Sequence, residues 1–463
     1  MNAKRALRTG LSFALASAVV FAPQASAVEY TVTTIGGGGA TACTTTPTVG
    51  TSVNFSNIWG MGSDSAGNIY FANRNGRILC KMDTNGTVVR IAGTGGQGTG
   101  ADNVQATTSA LGGPMSVVVD ASGNIIFTEY DLNYSIRKIA PNGNITTILN
   151  VAHSGSVSGT GGAATSAGST GPAALAISPS GEIYFSDYGA CLIRKIDLSG
   201  NVQLVAGTTC GTGGDGGIAT SGQISQPSGL AFDSSGNLYI ASYTGYIKKV
   251  DTSGIMTRFA GSYSTLSHTG DGGQASSATL KYIWQIAIDG GDNLWIPERG
   301  GSTIRKINIP TGIISTVAGL DGTTGNTDGL SSAARFNAPY SIAIGLNGDL
   351  FIGDYGNALI RKIAGAAAAA SSPITLTFSA TSKFRTSAGI QASGGSAGKI
   401  TFYANGKRIP RCISVAFTSS YTCAWSPSTR GAVRITATII TAGNSVISSP
   451  VLVVNTGQRS TTR

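Results

Sequence analysis

One turn signal recurs through most of this chain and constrains its fold more than any other feature. Glycines stand at Gly67, Gly123, Gly181, Gly236 and Gly348, with Asp292 in the remaining place, at intervals of 56, 58, 55, 56 and 56 residues. Nine residues upstream of each is Pro114, Pro172, Pro227 or Pro339, with Ile58 and Ile283 in the first and fifth copies. Around the turn each copy repeats one pattern. In the fourth, "GLAFD" turns through S-S-G-N into "LYIAS", and "YIKKVD" turns through "TSG" into "IMTRFAG". Short β-rich runs separated by Gly, Asn and Asp turns read as four antiparallel strands per copy. A period of this length marks a repeat architecture. A solenoid would need polar capping repeats, and none is present. Six four-stranded units therefore predict an all-β fold, a six-bladed β-propeller.

The core pattern, as in "SPSGEIYFSDYGACLIRKID" from Ser178, resembles the NHL repeat. Connectors such as "AGTTCGTGGDGGIATSGQISQP" from Ala206 are similar to those of secreted bacterial NHL proteins. The resemblance covers about residues 28–364. It implies the propeller and a tendency to bind partners, not one reaction.

The sixth copy stops after its third strand, at "IRKIAG" (Ile360 to Gly365). Far upstream, "EYTVTTIGGGG" from Glu29 aligns with the fourth-strand segments "NVQLVAGTTCG" and "GIISTVAGLDG". The N-terminal strand is thus expected to supply the missing outer strand of the last blade and close the ring.

Residues 1–27 read as a secretory signal peptide: Lys4, Arg5 and Arg8, then "LSFALASAVVFA", then "ASA" ending at Ala27. The expected order is signal peptide 1–27, propeller 28–364, Ala/Ser linker 365–372, β-sandwich 373–455 and basic tail 456–463. The stretch "GKITFYANGKRIPRCISVAF" with "YTCAWSPSTRGAVRITATI" resembles bacterial Ig-like domains, and Asn405-Gly406 is a strong hairpin signal. Beyond the signal peptide no apolar run reaches the roughly 20 residues that a spanning helix needs, so no membrane span is expected. Charge divides sharply. Residues 28–370 carry 18 Lys/Arg and 21 Asp/Glu, whereas residues 371–463 carry 10 Lys/Arg and no acidic side chain.

Six cysteines in an exported chain predict disulfides. Cys412 and Cys423 flank what reads as one short hairpin. Cys191 and Cys210 lie at the two ends of another. Cys43 and Cys80 remain by elimination. No CxxC spacing supports a metal site, and no metal or cofactor is expected.

In an antiparallel blade, the loops from second to third strand emerge on the same face as the blade-to-blade connectors. That face carries Glu129, Tyr130, Asp131, Asp187, Tyr188, Tyr243, Glu298, Arg299, Asp354 and Tyr355, candidates for ligand contact. The same carboxylates could instead cap turns, since they recur with the repeat. Asp215, Asp271 and Asp328 are expected to shape their loops, because one Asp per loop supplies too few oxygens for Ca²⁺. Lys407, Arg408 and Arg411 form a candidate polyanion contact.

The function expected is that of a secreted, extracellular or cell-wall-associated binding or adhesion protein. It would act as a monomer and engage an extracellular protein or glycan, with an anionic cell-wall polymer as a second partner and no nucleic acid. The alternatives are a metal-dependent propeller lactonase or lyase, and a structural matrix component. The enzyme alternative rests on His153 and His268, both in inter-blade loops.

Overall fold

The computed structural model describes residues 29–366 without a break and, beyond them, strand segments between residues 375 and 456 together with Ile409 and Cys412. The expected signal peptide, most of the linker and most of the basic tail lie outside the described residues, as does Arg411.

Six antiparallel sheets form the body. Their inner strands begin where the repeat predicts, at Ile58, Pro114, Pro172, Pro227 and Pro339. Proline is tolerated there because the first residue of a strand need not donate to the ladder. The inner strands pack one against the next, and that of the sixth blade packs against that of the first, so the sheets close into a ring. The turn position needs a left-handed backbone: Gly67, Gly123, Gly181, Gly236 and Gly348 lie at φ of 76–89° and Asp292 at 54°. Glycine adopts this conformation without a Cβ penalty. Asp292 compensates by accepting from the Ser234 backbone N–H and hydroxyl, which ties the fifth blade to the fourth.

The fifth blade departs from the pattern. Its inner strand shortens to Ala287–Ile288. Gln285, just before it, uses its side-chain amide to bond the backbone of Met61 in the first blade and of Ile342 in the sixth.

The N-terminal strand, Thr31–Gly37, pairs with the third strand of the sixth blade, Leu359–Ile363, in antiparallel register, Thr33 opposite Lys362. The ring closes as the sequence predicts. Val32 is fully buried against Trp295, Ile304, Ile352 and Ile363. A buried side chain of this size contributes roughly 1.5–3 kcal/mol.

Between the blades runs a second repeating device. The third strand places a fully buried cation at Arg137, Arg194, Lys248, Arg305 and Arg361. Four of these reach an aspartate on the connector that precedes their blade: Arg137–Asp102 at 2.8 Å, Lys248–Asp215 at 3.1 Å, Arg305–Asp271 at 2.6 Å and Arg361–Asp328 at 2.7 Å. The aspartates expected only to shape their loops therefore clamp them to the blade. A buried charge without a partner would be strongly destabilising, so the clamp and the cation need each other. Arg194 lacks a connector aspartate and instead donates to the Gly168 and Ser158 carbonyls. In the first blade Cys80 occupies the cation's position and is bonded to Cys43 on the preceding connector. A second disulfide, Cys191–Cys210, ties the start of one third strand to the connector beyond its fourth.

Beyond residue 374 the described strands form two antiparallel sheets. One holds Thr375–Ser379, Ala388–Ser393 and Ser420–Trp425; the other is built on Gly398–Ala404 and Gly431–Thr441. Ala404 pairs with Lys407, and the Asn405-Gly406 hairpin signal between them lies outside the described residues. Cys412 and Cys423 are bonded, but not across a hairpin. Val415–Phe417 pairs with Gly398–Ala404, whereas Ser420–Trp425 pairs with Ala388–Ser393. The chain changes sheets between them, and the disulfide joins the two sheets. Alternating apolar residues on both sides of a short turn look the same in either arrangement, which is why the hairpin expectation fails here. Among the described residues no helix is long and apolar enough to cross a membrane.

Candidate functional site

The residue following each second strand faces the loop side of the ring. In chain order these are Arg74, Tyr130, Tyr188, Tyr243, Arg299 and Tyr355. The second residue of each inner-strand segment lies at the channel mouth: Trp59, Met115, Ala173, Ser228, Trp284 and Tyr340. The sixfold repeat thus builds two tiers. The bulky inner-tier residues belong to the fifth, sixth and first blades, which are neighbours around the ring.

The two tiers meet as one aromatic cluster. Trp284 and Tyr340 stack at 5.0 Å between ring centroids, as do Tyr340 and Tyr355. Trp59 meets Tyr340 edge-on at 4.9 Å, and Tyr188 lies 5.6 Å from Trp284. Such pairs contribute roughly 0.5–1.5 kcal/mol each beyond the area they bury. Tyr340 and Trp284 are buried and form a floor. Trp59, Tyr130, Tyr188, Tyr243 and Tyr355 are partly exposed around it. Beneath the floor the channel narrows to a void of about 10 Å³, close to the least that holds one water. The feature is a shallow bowl on the ring's loop face, not an open pore.

Two arginines stand on its rim. Arg74 lies 4.3 Å from the Trp59 ring centroid and pairs with Asp131. Arg299 donates to the Tyr243 hydroxyl at 2.7 Å and lies 5.8 Å from the Tyr340 ring centroid. Burial pushes the Tyr188 phenol up to about 12 and raises Tyr130 and Tyr340 as well. These hydroxyls stay protonated near neutral pH and can donate.

The predicted carboxylates are placed differently from the tyrosines beside them. Glu129, Asp187, Glu298 and Asp354 have no exposed surface. Each accepts a backbone N–H two residues before its blade's inner-strand start: Gly112 at 2.9 Å, Thr170 at 3.0 Å, Lys281 at 2.5 Å and Asn337 at 2.8 Å. They hold the connector in place. Ser242 does the corresponding task in the fourth blade by donating to the Ser225 carbonyl. Lys407 and Arg408 form a short strand.

His268 bonds buried Glu298 through Nδ1 and Thr316 through Nε2. His153 bonds the Asn133 carbonyl. Neither joins the inner tier, which contains no His, Asp, Glu or Asn. Among the described residues no group of three or more His, Cys, Asp or Glu suited to a metal occurs.

Trp59, Trp284 and Tyr340 escape sequence reasoning because inner-strand aromatics look like ordinary core. The signal lay in aligning the copies. The position after the strand-opening Pro or Ile holds Met, Ala or Ser in three blades and Trp or Tyr in the other three.

Residues 87–269 match the family model of the teneurin NHL domain. Mouse Teneurin-3 is 25% identical over 359 residues, covering 56% of this chain and 13% of its own length. The chain therefore spans only a small part of that relative. Among solved structures, an auxiliary nutrient binding protein from Bacteroides thetaiotaomicron superposes with a TM-score of 0.54 at 18% identity, covering 73% of this chain and 76% of that one. Its counterpart from Bacteroides ovatus gives 0.53 at 20% identity, covering 72% and 76%. These likenesses concern the fold. With the repeat and the six-sheet ring, they make the body of this chain a six-bladed propeller, similar over residues 87–269 to the teneurin NHL domain.

Proposed function

We propose that this chain is a secreted binding protein whose propeller engages an extracellular protein or glycan in the aromatic bowl. The observation that carries this reading is the two-tier ring: six repeats place Tyr or Arg on the rim and gather three large aromatics at the channel mouth. Partly exposed tyrosines on a rigid scaffold offer contact area at small entropic cost. The three disulfides suit an oxidising compartment, and the nutrient-binding proteins that share the fold make ligand capture a natural use of it. In this reading residues 373–455 are an Ig-like sandwich. Its positive charge, including Lys407, Arg408 and Arg411, draws it to anionic cell-wall polymer.

The test is capture of extracellular protein and glycan fractions by the full chain, wild type against a Y188A/Y355A variant shown to be folded at the assay temperature. Selective retention lost in the variant supports the reading. Equal retention by both contradicts it. Salt-insensitive association with cell walls would contradict the role given to the basic sandwich.

A further inference from the structure

The chemistry of the bowl narrows its ligand, on the footing that the bowl is the binding site. Its rim side chains are four tyrosines and two arginines, Arg74 and Arg299, with π faces between them. Arg299 is the telling group. The other rim arginine, Arg74, has a carboxylate partner in Asp131. Arg299 is partly buried and bonds only the Tyr243 hydroxyl through its guanidinium; among the described residues no carboxylate lies within ion-pair distance of it. A second observation is independent of the first. The Trp59 indole N–H is buried and has no acceptor among the described residues. A buried donor without a partner is costly, and here it sits within the ring cluster.

We infer that the bowl takes a glycan bearing uronic acid residues. The C–H face of a pyranose lies on the partly exposed Tyr355 and Tyr188 rings, whose faces carry negative potential. The sugar carboxylate pairs with Arg299 in charge-assisted hydrogen bonds. A peptide fits less well. Its backbone brings an N–H donor with almost every residue, and the rim offers few acceptors beyond tyrosine hydroxyls and Asp131, which Arg74 already engages.

The test is calorimetric titration of the full, oxidised chain with trigalacturonate, its methyl ester and triglutamate. Trigalacturonate should bind, and both R299M and methyl esterification should weaken it by about tenfold or more, as loss of a charge-assisted contact requires. R299K should fall between. The ester comparison needs no variant, so it decides the matter even if R299M is unstable. The inference is overturned if the ester binds as tightly as the acid, if folded R299M binds like wild type, if triglutamate competes equally, or if trigalacturonate does not bind at millimolar concentration. Capture of a neutral glycan or a protein that depends on Tyr188 and Tyr355 but not on Arg299 would overturn this inference while leaving the bowl as the binding site. Unchanged capture by Y188A/Y355A would overturn both.

Discussion

Thr34 and Asp328 stand 294 residues apart in sequence and bond twice, the Thr34 backbone N–H at 2.9 Å and its hydroxyl at 3.0 Å. Thr147 makes the same pair of bonds to Asp102 inside the second blade, at 2.9 and 3.0 Å. In both places the aspartate also pairs with the third-strand arginine, Arg361 or Arg137. The N-terminal strand therefore reproduces the side-chain bonding of an ordinary fourth strand as well as its ladder.

Deleting residues 28–35 should lower the melting temperature of the whole propeller, because it removes Val32 from the core and opens the ring. T34V should cost only about 1 kcal/mol, the net worth of a typical hydrogen bond. Denaturant unfolding of the two variants checks this. An unchanged midpoint for the deletion would refute closure by the N-terminal strand.

The Cys43–Cys80 bond stands where other blades place an ion pair, and it closes 37 residues. The chain-entropy model assigns it about 4 kcal/mol, against about 3 kcal/mol for Cys191–Cys210, which closes 19. C43S/C80S should therefore lower stability more than C191S/C210S in equilibrium unfolding.

Asp354 gives a pH signature. Burial raises its carboxyl to about 6, against the opposing pull of Asn337, Asn357 and Arg361. A carboxyl raised on folding favours the native state while protonated. Its contribution is full below the unfolded value near 4 and is lost as pH rises through 6. Relative to D354N, wild type should lose stability between pH 4 and 7, measured by chemical denaturation at each pH. A gain over that window would reverse the sign argued here.

How far the sequence carried this account depended on whether a residue's role repeats. Gly67 and its equivalents, Pro114 and its equivalents, and the strand from Thr31 all follow from local conformational preference copied six times, so spacing alone located them. Tyr130, Tyr188, Tyr243, Arg299 and Tyr355 were placed on the right face for the same reason. Glu129, Asp187, Glu298 and Asp354 were grouped with them because adjacent residues share a loop, yet the side chains part: the carboxylate turns inward to a backbone N–H and its neighbour stays at the rim. The partner of Asp328 was not legible, since a contact with Arg361 and Thr34 exists only once the ring is closed. Gln285 and the shortened inner strand of the fifth blade break the repeat, and a repeat argument cannot reach them.

Alanine at Tyr355 and at Glu129 should separate ligand contact from scaffold. Y355A loses its contacts with Tyr340 and Trp59, should cost about 1–2 kcal/mol, and should weaken ligand capture. E129A leaves the Gly112 N–H and the Ser135 hydroxyl without their acceptor and removes one of two from the Asn133 amide, and should cost about 3 kcal/mol, by the penalty for unsatisfied buried groups. Thermal melts alongside capture assays distinguish the two.

The most direct measurement is where a captured ligand lands. Hydroxyl-radical footprinting of the full chain, with and without a saturating retained fraction, reports this residue by residue. Protection of Trp59, Tyr188 and Tyr355, with Leu346 and the exposed Leu198 on the opposite side of the ring unchanged, is the result predicted. Protection of Leu346 and Leu198 with the bowl still reactive would contradict the account.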